Sequence, residues 1–297
     1  MAELAPSDGA DEYRLGFAGD TFNTAWYLRR LRPDLSVSFL SAVGSDDISG
    51  RMLDFMDRSG IGTEHVARHA GRSVGLYMIS LKDGERSFAY WRDTSAARLL
   101  ADDETRLRQA IDTADLIYFS GITLAILSEA ARMRLLGVLD AARAKGRTVA
   151  FDPNLRPHLW SDDGTMRATV MRAAVVSDIV LPSHEDEAAH FGDADPQATA
   201  ARYAAFGTGT VVVKNGGGAV HYLNGEGRGT VAIEPACDVV DTTAAGDSFN
   251  AGFLATIDTP SSPEARIRAA ADVARQVIGG RGALVPLATP AVFGRTG

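Results

Sequence analysis

Short apolar runs alternate with amphipathic segments through the second half of the chain. Runs with the length and composition of buried strands lie at 116–120, 148–152, 179–182 and 210–214. Apolar residues at helical spacing lie between and after them, at 128–145, 165–177, 185–191 and 264–278. Strands that alternate with helices form a mainly parallel sheet covered on both faces, so the pattern predicts an α/β fold.

The first half of the chain has a different pattern. Two stretches of alternating residues, VGLYMISL and RSFAYW, flank the turn residues 82–85 and predict a β-hairpin. A strand is predicted at 36–43, and helices are predicted at 23–31 and 49–59. The chain therefore reaches its first helix without a predicted core strand before it.

Residues 239–253, VVDTTAAGDSFNAGF, carry the clearest chemical pattern. Val239 and Val240 end an apolar run of strand type, a polar turn follows, and helical spacing begins at Asp247. A helix start presents unpaired N–H groups and a partial positive charge, so small residues there let a phosphate approach. Asp247 would repel that phosphate, and we interpret it as a base that accepts the proton of an attacking hydroxyl. The alternative is a helix-capping aspartate.

The segment 241–247 resembles the DTxGAGD motif of the ribokinase-like (pfkB-type) carbohydrate kinases, with Ala244 in place of the first glycine. The resemblance implies that Asp247 is the catalytic base and that the amides of Ala244, Ala245 and Gly246 form an anion hole. It also implies one ribokinase-like domain over 1–297, with a β lid formed by about 11–17 and 73–93. Such kinases usually open with an apolar strand that has no match here, so we expect the first core strand to be missing from this chain.

A second motif supports the same resemblance. GDTFNTA, residues 19–25, is similar to the family's GGxxxNxA motif, with Ala18 in place of the first glycine. Gly19 would let the backbone approach a sugar, and Asp20 and Asn23 offer hydrogen bonds to hydroxyl groups. These three residues are therefore predicted substrate contacts.

Two arginines indicate the substrate class. Arg92 ends the predicted hairpin and Arg156 follows a predicted core strand, and a guanidinium binds a carboxylate through two hydrogen bonds. Together with GERSFAYWR and DPNLR, they resemble the 2-keto-3-deoxygluconate kinases over nearly the whole chain. That resemblance implies substrate contacts from both arginines and from Tyr77, Tyr90 and Asp241. Ordinary surface charge is the alternative for either arginine alone.

The resemblance also implies ATP and Mg²⁺ as cofactors. Predicted nucleotide contacts are Asn154, Lys214, Gly216, Gly218 and Gly246, because glycines let the backbone wrap a nucleotide and a lysine offsets phosphate charge. A plain glycine-rich turn is the alternative for 215–218. Glu185 or Asp186 would help to hold Mg²⁺, and the sequence does not choose between them.

Composition limits the possible partners. The 297-residue chain has a net charge of −8 and no basic cluster, which argues against binding to nucleic acid or to an acidic membrane. A lone cysteine, Cys237, suits a reducing cytoplasm, and no apolar run is long enough to span a membrane. We expect a small sugar acid and ATP as partners, with homo-oligomer formation through the β lid as a possibility.

The sequence thus predicts an ATP-dependent kinase that phosphorylates the terminal hydroxyl of 2-dehydro-3-deoxy-D-gluconate. A ribokinase-like kinase of a neutral sugar such as fructose is one alternative. A non-catalytic sugar-acid-binding relative, truncated at its N-terminus, is another. A nucleotide-binding dehydrogenase is disfavoured because no GxGxxG motif follows a predicted strand.

Overall fold

The structure, a computed structural model, describes residues 1–7, 11–82 and 85–288. Its strands, in chain order, are β1 (Ala2–Pro6), β2 (Tyr13–Phe17), β3 (Ser41–Val43), β4 (Val66–Arg68), β5 (Leu76–Lys82), β6 (Glu85–Trp91), β7 (Leu116–Ser120), β8 (Thr148–Asp152), β9 (Ile179–Val180), β10 (Thr210–Val213), β11 (Val220–Asn224) and β12 (Gly227–Val231). Its α-helices are α1 (Asp20–Leu31), α2 (Asp47–Arg58), α3 (Glu104–Asp112), α4 (Gly121–Ile126), α5 (Glu129–Ala144), α6 (Asp163–Val175), α7 (His184–Phe191), α8 (Pro196–Ala204), α9 (Ala245–Leu254) and α10 (Pro263–Ile278).

A six-stranded sheet in the order β12-β11-β10-β9-β8-β7 carries most of the fold. Its β7 to β10 half is parallel, and β11 and β12 add an antiparallel edge. The side chains of β8 divide between two cores: Phe151 packs in a cluster with α5 and α6, and Ala150 packs in a cluster with α9 and α10. Helices thus cover both faces, which confirms the predicted α/β class with a mainly parallel sheet.

A second, four-stranded sheet has the order β2-β1-β5-β6. It contains the strands predicted to form the β lid, and we use that name for this sheet. The predicted hairpin strands are present, with Tyr77 opposite Tyr90, whereas the turn residues 83 and 84 lie outside the described residues. β1, which pairs parallel to β5, was not predicted because Glu3 and Pro6 interrupt its apolar pattern.

The predicted strand before Asp241 is wrong. Val239 and Val240 are 57% and 51% exposed and belong to none of the strands in the described chain. The Val240 N–H donates instead to the Ile278 carbonyl, at 2.8 Å, so the segment lies along the end of α10. Its apolar residues favoured a strand, but no neighbouring strand is available there to pair with them.

β3 and β7 are outer strands that face one cavity. Among the described residues, β3 pairs with β4 alone and β7 with β8 alone. Leu40, Phe119 and Met1 all line this cavity. The expected absence of a first core strand stays a prediction.

Among the described helices, none is long and apolar enough to cross a bilayer.

Candidate active site

One cavity of about 1100 Å³ lies at the carboxyl ends of β7 and β8, between the β lid and the start of α9. Ligands of parallel α/β sheets bind at this edge. The predicted site residues that line it are Gly19, Asp20, Asn23, Tyr77, Tyr90, Arg92, Asn154, Arg156, Asp186, Lys214, Ala244, Ala245, Gly246 and Asp247. Residues far apart in the sequence therefore share one site.

The start of α9 provides main-chain donors to this cavity. Ala244 is the N-cap residue and has φ 61°, a left-handed conformation that glycine adopts without strain. The Ala245 N–H donates to the Thr242 carbonyl at 3.2 Å. In the part of the chain that the structure describes, the N–H groups of Ala244, Gly246 and Asp247 have no protein acceptor. The amides available to bind an anion are thus those of Ala244, Gly246 and Asp247, and the predicted amide of Ala245 is already used by Thr242.

Asp247 lies in the first turn of α9 with its carboxylate at the cavity. Its Oδ2 accepts a hydrogen bond from the Asn23 side-chain amide at 2.8 Å. Burial raises the pKa of Asp247 to about 7, and the nearby Asp20 carboxylate adds to the rise. A carboxylate with this pKa is matched to proton transfer near neutral pH.

Asp20 and Asn154 form a second polar group beside Asp247. The Ser120 hydroxyl and the Asn154 side-chain amide, the latter at 3.3 Å, both donate to Asp20 Oδ2. Burial raises the pKa of Asp20. Asn154 has φ 35°, and its backbone N–H donates to Asp152. The predicted sugar contact and the predicted nucleotide contact are therefore direct neighbours.

Lys214 is buried beneath the anion site. Its Nζ donates to Asp152 Oδ2 at 2.9 Å and to Asn250 Oδ1 at 3.1 Å. A methyl group placed on Gly246 would lie 3.6 Å from this Nζ. The positive charge therefore lies close to the free amides of α9, and Asp152 partly balances it.

The opposite wall of the cavity carries the two predicted arginines. The Arg92 guanidinium lies 4.3 Å from the centre of the Tyr90 ring. Arg156 Nη1 donates to its neighbouring Leu155 carbonyl at 2.6 Å and lies 3.5 Å from Asp186 Oδ2. Tyr77 is a buried residue of the cavity lining, and its hydroxyl donates to Glu3. Both arginines have donors left over for a ligand carboxylate.

Of the two predicted magnesium residues, Asp186 lines the cavity and Glu185 is exposed outside its lining. No group of three or more metal-binding side chains occurs among the described residues. Mg²⁺ is commonly held by one or two carboxylates together with phosphates and water, so a single carboxylate fits this use.

Three other predicted residues lie outside the cavity lining. Asp241 was predicted to contact substrate, but its carboxylate accepts from the Thr243 N–H at 3.0 Å and from the Gly282 N–H at 2.7 Å. It therefore ties the start of the α9 turn to the chain after α10. Gly216 and Gly218 belong to the turn between β10 and β11, beyond the lining residues.

The sequence interpretation missed several polar partners. Ser120 and Asp152 end parallel strands, as the predicted residues do, and the same strand-end rule could have found them. Asn250 lies inside α9, where a helical pattern gives no signal for its contact with Lys214. His158 follows Arg156 by two residues and contacts Arg92.

Comparisons with known proteins agree with this geometry. A family model described as pfkB family carbohydrate kinase matches residues 5–290. The chain belongs to the pfkB family of carbohydrate kinases. The family that the DTTAAGD segment indicated is therefore confirmed.

Similar proteins extend this finding. The 2-dehydro-3-deoxygluconokinase of Dickeya dadantii (strain 3937) is 40% identical over 295 residues, which cover 97% of this chain and 94% of that protein. The crystal structure of a PfkB protein from Polaromonas sp. JS666 has 27% identity and a TM-score of 0.82, covering 94% and 93% of the two chains. A fructokinase with bound ATP from Xylella fastidiosa has 25% identity and a TM-score of 0.80, covering 95% and 91%. These structures confirm the predicted ribokinase-like fold class.

Proposed function

We propose that this chain transfers the terminal phosphoryl group of ATP to the terminal hydroxyl of 2-dehydro-3-deoxy-D-gluconate. One observation carries the proposal: Asp247, the free amides of α9 and two arginines face the same cavity. The name of the Dickeya relative supports the substrate, and the ATP-bound fructokinase supports the nucleotide.

In the proposed reaction, Asp247 accepts the proton of the sugar hydroxyl as its oxygen attacks phosphorus. The amides of Ala244, Gly246 and Asp247 donate to the oxygens of the phosphoryl group, where negative charge is concentrated. Asn23 holds the Asp247 carboxylate in place through the 2.8 Å hydrogen bond. The chemistry thus depends on groups that the start of α9 positions.

ATP and Mg²⁺ are assigned to the neighbouring part of the cavity. Lys214 lies next to Gly246 and places positive charge near the transferring group. Asp186 would hold Mg²⁺ through water, and the bound ion would offset phosphate charge. Asn154 stands between the two substrates, since it follows β8 and contacts Asp20.

The cavity wall that carries Arg92 and Arg156, here called the arginine wall, supports an acidic substrate. Arg92 has no carboxylate within hydrogen-bonding distance in the described part of the chain, and Arg156 has one only at 3.5 Å. A substrate carboxylate would give these guanidinium groups charge-assisted hydrogen bonds, whereas a neutral hexose would not. The β lid also lines the part of the cavity that contains the arginines. It would exclude water, which would otherwise compete as acceptor of the phosphoryl group.

A coupled ADP-release assay tests the proposal. With Mg²⁺ and ATP, we expect turnover of 2-dehydro-3-deoxy-D-gluconate at a kcat/KM at least about 100-fold above that for fructose, because loss of two arginine contacts costs about 3 kcal/mol. Turnover of fructose but not of the acid would establish the neutral-sugar alternative. Binding of the acid without any ADP release would establish the non-catalytic one.

We also propose that the β lid is the surface through which two copies associate. Trp91 and Tyr13, on the two outer strands of the lid, are 55% and 42% exposed. Exposed aromatic residues are enriched at interfaces between proteins. Light scattering should give a dimer mass that Trp91→Glu lowers to a monomer mass; a wild-type monomer would contradict the proposal.

A further inference from the structure

His158 contacts the arginine wall from the core side of the cavity. It lies in a short 3₁₀ helix, Pro157–Leu159, just after Arg156. Its Nε2 is 2.9 Å from Nη2 of Arg92, which directly follows β6 of the lid. This contact therefore joins the β lid to the loop after β8.

The protonation state of His158 follows from its partner. A guanidinium can only donate, so the imidazole Nε2 must accept, and His158 must be neutral to make this contact. Burial and the charges of Arg92 and Arg156 lower the pKa of His158. The carboxylates of Asp20 and Asp93 also interact electrostatically with the Arg92 guanidinium.

Arg92 is thereby held from two directions. The Arg92 Cζ atom lies 4.3 Å from the centre of the Tyr90 ring. The centres of the Tyr90 and His158 rings are 6.2 Å apart. One N–H of Arg92 is used by His158, and its remaining donors stay available at the cavity wall. An arginine fixed before binding loses less side-chain entropy when its ligand arrives.

We propose that neutral His158 is a positioning residue that holds Arg92 in place for the carboxylate of the sugar-acid substrate. The inference rests on the proposed function, because it assigns Arg92 to the acid group. His158 acts through Arg92 and does not take part in phosphoryl transfer.

Steady-state kinetics test this role. His158→Phe keeps a ring but removes the acceptor, and it should raise the KM for 2-dehydro-3-deoxy-D-gluconate about tenfold with kcat and the KM for ATP within twofold. His158→Gln restores an acceptor and should recover most of the loss. His69→Phe, at a histidine outside the cavity lining, is the matched control. It should leave kcat and the two KM values unchanged.

A double-mutant cycle tests whether His158 acts through Arg92. In an Arg92→Met background, His158→Phe should cause no further rise in the KM for the acid. An equal tenfold rise in both backgrounds would overturn the inference. If wild type turns over the acid and His158→Phe has wild-type constants, the inference fails while the proposed function stands.

An NMR titration tests the contact without any substrate. The His158 ring should be neutral at pH 7, with a pKa below the ordinary value, and Arg92→Met should raise that pKa because a neighbouring positive charge is removed. An unchanged His158 titration in Arg92→Met would overturn the inference, even if the chain had no activity on the acid.

Discussion

The start of α9 and the arginine wall face the same cavity but are built differently. At α9, the donors are main-chain amides, and the Asp247 carboxylate is fixed by Asn23 of α1. At the wall, Arg92 is fixed by other side chains, and Tyr90 beside it is 45% exposed. The geometry at the start of α9 therefore depends on the backbone fold, whereas the geometry of the arginine wall depends on contacts between side chains. Phosphoryl transfer is thus tied to the backbone, whereas substrate choice can change without disturbing it.

We expect the largest effect from a substitution at Asp247. Asp247→Asn should lower kcat by about 100-fold or more, with the KM for the sugar acid nearly unchanged, because a positioned base is lost. Steady-state kinetics with saturating ATP provide the measurement. Asp272→Asn, on the exposed side of α10, is the matched control and should keep wild-type kcat.

The same variant separates catalysis from folding. Because burial raises the pKa of Asp247 to about 7, the protonated carboxyl favours the folded state at low pH, and this contribution is lost as the pH rises through 7. A neutral asparagine should therefore not lower the melting temperature at pH 8. A variant that melted far below wild type would show that its lost activity comes from unfolding.

At the arginine wall, we expect a substitution to change the KM for the sugar acid rather than kcat. Arg156→Met should raise the KM for the sugar acid about 30-fold with a small effect on kcat, because one charge-assisted hydrogen bond contributes about 2 kcal/mol. Kinetics with the acid and with a neutral sugar provide the measurement. An equal loss for both sugars would assign Arg156 to the nucleotide side, through its contact with Asp186.

The pH dependence of kcat/KM in the wild type depends on the protonation state of Asp247. Asp247 must be deprotonated to act as a base, and its pKa is raised to about 7. The kcat/KM should therefore rise about tenfold between pH 6 and pH 8. A flat profile over this range would contradict the raised pKa or the assignment of the base.

The smallest expected effect concerns the strain at the start of α9. Ala244 has φ 61°, and a left-handed conformation costs a non-glycine residue about 1 kcal/mol. Ala244→Gly should therefore raise the melting temperature by about 3 °C, with kcat within twofold of wild type. Thermal unfolding measures the change, and Ala245→Gly, at a helical position, should lower stability. A destabilised Ala244→Gly would show that the alanine side chain packs favourably.

Much of the fold could be predicted from local pattern. β7 and β8 were predicted with their observed bounds because buried parallel strands are continuous apolar runs with polar residues at both ends. The helices α3 and α8 were not predicted, since each contains few large apolar residues. The segment at Val239 was misassigned because its apolar residues are exposed beside α10. Whether a short apolar segment forms a strand depends on its burial, and burial depends on distant parts of the chain.

The candidate site could be predicted where the residues belong to motifs or strand ends. Asp247, Arg92 and Arg156 were predicted in this way and face one cavity. The contacts of Lys214 with Asn250 and of Arg92 with His158 join residues 36 and 66 positions apart, which spacing along one chain does not indicate. The partners that tune a site thus come from tertiary structure, whereas its reactive groups are visible in the sequence.

The pH profile of kcat/KM, measured in parallel on wild type and on the residual activity of Asp247→Asn, tests the central claim most directly. We expect kcat/KM to rise through pH 7 in the wild type and to show no such rise in the variant, because the titrating group is the Asp247 carboxyl. A rise of the same size in Asp247→Asn would contradict the claim that Asp247 removes the proton from the substrate hydroxyl.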